Sequence, residues 1–180
     1  MSTSVPMALP DTQEVWVCHD DETSLVMEVL DVVTEGQAAS DLWEAANALA
    51  SDNAALASSI ESPPPTIHLS PQTLPALGAE HSLTSLPTPQ PTTLIGRQSV
   101  QKFNSNPPPP PDDVVIFLAL WRVLLPSGTT DGGPSRKADV LFTVNVNRGK
   151  DAAEVEKVKG WFESTVQGMR IKNYGLFVEA

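Results

Sequence analysis

VVIFLALWRVLL, residues 114–125, is the stretch on which the fold turns. Only Arg122 interrupts its apolar run, and β-branched and aromatic side chains are frequent in it. A run of this length and type reads as a strand buried on both faces. Strand alternation puts Val115, Phe117, Ala119, Trp121 and Val123 on one face. Val114, Ile116, Leu118, Leu120 and Arg122 take the other. Arg122 reads as a strand-end residue whose guanidinium reaches solvent or a carboxylate. The run is too short to cross a bilayer as a helix.

Downstream, residues 126–138 carry three glycines and two prolines and read as a loop. DVLFTVNVN, residues 139–147, alternates as a strand, with Val140, Phe142, Val144 and Val146 on one side. The two strands form an antiparallel hairpin with a long connection. Residues 151–169 are the strongest helix in the chain. Asp151 and Glu154 make a capping-box-like start. Val155, Val158, Phe162, Val166 and Met169 trace an apolar stripe at helical spacing. Gly160 costs this helix about 1 kcal/mol relative to alanine. Ile171, Tyr174, Leu176 and Phe177 predict that the C-terminal tail docks on the domain.

Upstream, residues 63–111 hold 13 of the 17 prolines, which excludes a continuous helix or a central strand there. Residues 61–91 and 104–112 are read as Pro-rich, disordered insertions, with a short strand at 66–69. TTLIGRQSVQKF, residues 92–103, alternates as a strand between them. The five prolines 107–111 form polyproline II. Their bland reading is a stiff spacer, and the functional one is a ligand for an SH3, WW or profilin-like module. Residues 41–60 are a helical candidate, capped by Ser40 or Asp41, with a weak stripe of Leu42, Ala45, Ala46, Leu49, Ala50 and Leu56.

Residues 10–35 open the domain after a loose tail, 1–9. Glu14 to His19 reads as a short strand. A helix is predicted to start near Thr23 or Ser24, with Leu25, Val26, Val29, Leu30 and Val33 on its apolar stripe. Glu28, Asp31 and Glu35 then share the opposite, solvated face. The four valines of this predicted helix, Val26, Val29, Val32 and Val33, also suit a strand. The expected architecture is α+β: one domain, residues 10–180, with a largely antiparallel sheet flanked by helices in an α/β/α sandwich.

The formal net charge is -11. No Lys or Arg precedes Arg97, while that segment holds 13 Asp and Glu. Such an end disfavours nucleic acid and anionic membranes and favours a basic protein partner. Cys18 is alone, which fits a reducing compartment, and among carboxylates it reads as a packed structural cysteine. The start of the chain has neither the basic residues nor the apolar run of a signal peptide. His19, His68 and His81 stand apart, so no metal site or cofactor is predicted. No phosphate loop, GxSxG or Ser/His/Asp pattern can be assembled, and no enzymatic activity is expected.

Three blocks in order carry a resemblance. PDTQEV, residues 10–15, leads to SLVMEVLD, residues 24–31. Gly96-Arg97-Gln98 and Val100-Gln101-Lys102 lead to VVIFLALWRVL. Residues 138–147 are followed by the terminal helix and Leu176-Phe177. Together they resemble the Ran guanine nucleotide release factors, small nuclear-import proteins. The resemblance implies an α/β/α sandwich similar to the photosystem II P-type extrinsic protein. It implies binding of the GTPase Ran and release of its nucleotide, in nucleus and cytoplasm, with no cofactor. It also implies a monomer, with the Ran exchange factor as a further partner. The family's Ran-binding acids fall on Asp11, Glu14, Glu28 and Asp31. Family members usually carry an extra strand and a segment with Asp and Arg ahead of PDTQEV. With nine residues there, the chain is expected to be shortened at that edge of the sheet.

Overall fold

A computed structural model describes residues 13–18, 23–31, 57–60, 87–100, 110–125, 136–147 and 151–177. Six strands form one antiparallel sheet: β1 (Gln13–Val17), β2 (Ser24–Leu30), β3 (Ala57–Ile60), β4 (Thr92–Val100), β5 (Asp112–Leu125) and β6 (Arg136–Asn147). Their spatial order is β1-β2-β6-β5-β4-β3. The helix α1 (Ala152–Gly168) and a 3₁₀ turn (Tyr174–Phe177) follow.

The expected hairpin is the centre of the sheet. β6 pairs with β5 over its whole length, from Val114 opposite Asn147 to Leu125 opposite Arg136. Alternation along β5 sorts the core into two layers, as its sequence implies. Val115, Phe117, Ala119 and Trp121 join Phe142, Val144 and Val146 under Phe162 and Val166 of α1. Ile116, Leu118 and Leu120 join Leu94 and Leu141 on the opposite face. Full burial of each large side chain stabilises the fold by about 1.5–3 kcal/mol. Arg122 belongs to the second face. It ends on the carboxylate of Asp139, its partner in register, with both groups buried.

α1 starts where its cap predicts. The Asp151 carboxylate accepts the Glu154 N–H at 2.8 Å. At the other end Arg170 Nη1 donates to the Gln167 and Met169 carbonyls at 2.8 and 2.6 Å, a favourable place for a cation. Beyond it the tail docks: Tyr174 is fully buried, and its hydroxyl donates to the Pro87 carbonyl at 2.8 Å.

Two expected helices are corrected. Ser24–Leu30 is a strand, bonded to β1 on one side and β6 on the other. Its register sets Leu25, Met27 and Val29 against Val144, Phe142 and Val140. Because both faces of β2 are half-buried, apolar residues fall at adjacent positions, which mimics a helical stripe. The valines and two paired neighbours decide for the strand. Of the candidate helix 41–60, the last four residues form β3, paired to β4 from Ala57–Ser99 to Ile60–Gly96. The rest lies outside the described residues, as do the tail 1–9 and most of the Pro-rich stretches. The strand at 92–103 is present as β4, whereas residues 66–69 are not described. Among the described residues one helix covers one face of the sheet.

Candidate partner-docking surface

The acidic first block folds as the β1–β2 hairpin at one edge of the sheet. Gln13 pairs with Glu28 and Val17 with Ser24. The Cys18 N–H donates to the Thr23 carbonyl at 2.8 Å and closes the turn. Cys18 itself is exposed and free, not packed, because it stands just past the end of the outermost strand.

With β2 a strand, the predicted acids do not share a helix face. Glu14 is exposed, opposite Met27, on the side of the sheet that α1 covers. Glu28 points to the other side, where it is half-buried and accepts a hydrogen bond from Gln13 Nε2. Asp31 is exposed immediately beyond β2. Asp11 lies outside the described residues. The hairpin therefore displays carboxylates on both of its faces and at its end.

Around Glu28 the sheet forms a shallow recess of about 390 Å³. Gln13, Glu28, Gln98, Asp112, Thr143 and Asn145 give it polar walls. Asn145 Nδ2 donates to Ser24 Oγ at 3.1 Å, which ties β6 to the start of β2. Carboxylates and amides in such a wall suit a cationic or hydrogen-bonding group of a partner. Among the described residues no three His, Cys, Asp or Glu side chains could hold a metal together.

A second recess, about 680 Å³, separates the end of α1 from residues 87–91. Trp121, Gln167 and Arg170 line it together with Pro87 and Pro91. The Ile171 N–H donates to Thr88 Oγ1 at 2.8 Å, so this end of the Pro-rich stretch is fastened to the C-terminal tail. Burial raises the Tyr174 phenol above its ordinary 10.0, and the Thr88 hydroxyl beside it offsets part of that rise.

Two residues outside the predicted set of site residues stand out. Trp16 and Trp161 are 48% and 47% exposed, unusual for indoles. Trp161 precedes Phe162 and falls off the apolar stripe of its helix. That offset was the available signal. Trp16 lies between the half-buried Val15 and the exposed Val17 and shares the face of Glu14.

Comparison with known proteins adds the following. A family model described as Ran-interacting Mog1 protein matches residues 3–147. The 1.9 Å crystal structure of the Saccharomyces cerevisiae Ran-binding protein Mog1p is similar at 18% sequence identity and a TM-score of 0.43. That match covers 85% of this chain and 69% of the yeast one. No curated protein matches the chain.

Proposed function

This chain belongs to the Ran-interacting Mog1 family, and from that premise we propose that it binds the small GTPase Ran and promotes release of its guanine nucleotide. The observation that carries the reading is the family match over residues 3–147, which includes the whole acidic hairpin. Nucleotide release needs no covalent chemistry. A protein that binds the nucleotide-free GTPase more tightly than the loaded form lowers nucleotide affinity by the same factor. Carboxylates on an end of the chain without Lys or Arg before position 97 steer a basic partner toward the hairpin. Glu14 is the exposed acid of β1, and Glu28 and Asp31 extend the charge along β2.

In this reading the protein acts as a monomer in nucleus and cytoplasm, supports nuclear import, and works with no cofactor. The Ran exchange factor is its second partner. The architecture in this reading is the α/β/α sandwich that the resemblance implies. The adaptor alternative, in which the Pro-rich segment recruits SH3-, WW- or profilin-like modules, gains little support. Within the Pro-rich segment, Pro87 and Thr88 are engaged by Tyr174 and Ile171 in the domain, which leaves the run 107–111 as the ligand that alternative needs.

Release of a fluorescent guanine nucleotide from Ran tests the proposal. The chain is expected to accelerate release in a dose-dependent way and to form a complex with nucleotide-free Ran. An unchanged release rate together with no complex overturns it.

A further inference from the structure

We propose that the docking surface for the basic partner extends from the β1–β2 hairpin onto α1, with Trp16 and Trp161 as its two aromatic anchors around Glu14. The proposal rests on the Ran-binding reading and names the part of the molecule that makes the contact. α1 lies beyond the residues that the family model matches, so that match assigns the helix no part.

The placement follows from register and packing. Glu14 and Trp16 project to the face of the sheet that α1 covers, because they pair with Met27 and Leu25 of that face. Met27 pairs in turn with Phe142. The Trp161 ring meets Phe142 edge-on, with centroids 6.3 Å apart. Adjacent strands are spaced by about 4.8 Å, so Glu14 stands about 10 Å along the row from Phe142. The helix turns the correct flank toward this row. Gln167 and Arg170, on its other flank, line the recess with residues 87–91, which lead into β4. The flank of Trp161 is therefore the one toward β2 and β1. Between the two indoles the floor is Leu25 and Met27, both only partly buried.

This composition fits one kind of occupant. Exposed indoles flanking a carboxylate receive a guanidinium or ammonium group, by cation–π contact with the ring and charge pairing with the acid. Half-exposed tryptophans are the residue type that dominates interface energetics. The partner surface is thus basic, with an arginine or lysine beside an apolar side chain. Lys157, one turn before Trp161, and Glu154 are the charged groups on the same flank of α1. Lys157 opposes a basic partner, and its sign makes a diagnostic.

The test measures the affinity of the full chain for nucleotide-free Ran by calorimetry. Trp161→Ala and Trp16→Ala are each expected to weaken binding about tenfold or more. Trp161→Phe is expected to retain most of it. Lys157→Glu is expected to strengthen binding and to speed association at low salt. Because both indoles are half-exposed, thermal unfolding should show the variants folded, and Lys157→Glu leaves the core untouched in any case. Wild-type binding with all three substitutions neutral overturns this surface and leaves the Ran reading standing. Failure of the wild-type chain to bind Ran overturns both.

Discussion

Arg122 and Asp139 face each other across β5 and β6 and join through two parallel hydrogen bonds. Nε to Oδ1 and Nη2 to Oδ2 are both 2.8 Å, with each side chain at most 1% exposed. Removing Asp139 takes this carboxylate counter-charge away from a buried guanidinium. Asp139→Ala should cost about 3–5 kcal/mol in urea unfolding. Replacing both by apolar residues, Arg122→Met with Asp139→Leu, should cost much less. Equal losses in the single and double variants would show that the pair acts through shape and not charge.

Phe162 is the main plug between α1 and the sheet, 5.6 Å from Phe117 and 6.0 Å from Phe142. Phe162→Ala is expected to destabilise the fold by about 3–5 kcal/mol, against about 1 kcal/mol for loss of the helix cap in Asp151→Ala. Denaturant midpoints measured on both variants rank the two effects, and a reversed order would contradict the packing described.

Tyr174 is the one tyrosine in the chain, so phenolate absorbance reports it alone. Burial raises its pKa above 10.0 in the folded protein. A raised acid contributes stability that is full below the unfolded pKa and is lost as pH climbs through the folded one. Stability should hold up to about pH 10 and fall above it. Tyr174→Phe should flatten that fall and cost about 1 kcal/mol at neutral pH through the lost bond to Pro87. A phenol titrating at or below the ordinary value would contradict its burial.

Glu14 and Glu28 lie on opposite faces of the hairpin, so they should answer differently. Glu14→Lys leaves the fold alone and should slow association with Ran, with a weaker salt dependence. Glu28→Lys also breaks the bond from Gln13 and should lower stability along with binding. Stopped-flow association at several salt concentrations, paired with thermal unfolding, separates the two.

The centre of the fold was legible because its signal is unambiguous. Residues 114–125 are apolar on both faces, and 139–147 alternate cleanly. Asp151 with Glu154 marks a helix start that is occupied as expected. The first block misled for a physical reason. In Ser24–Leu30 both faces of the strand carry apolar groups, and Val26 beside Leu25 satisfies a helical stripe as well as a pleat. Only the long-range pairing with β6 decides between them. The acidic character of the hairpin was readable from composition, but its split into two faces was not, since that depends on β2 being a strand. The role of residues 87–91 was hidden likewise: nothing local in Pro87-Thr88 announces a hydroxyl donor at position 174.

The order β1-β2-β6 has a consequence in time. Ser24 and Asn145 are hydrogen-bonded neighbours separated by 121 positions. During synthesis the N-terminal hairpin emerges from the ribosome long before the strand it must lean on exists. β5 and β6, close in sequence, can zip first, and the large loop closes afterwards at an entropic cost that grows slowly with its length. The hairpin that carries the acids joins the sheet only after β6 is made, and its amides should exchange with solvent deuterium sooner than those of β5.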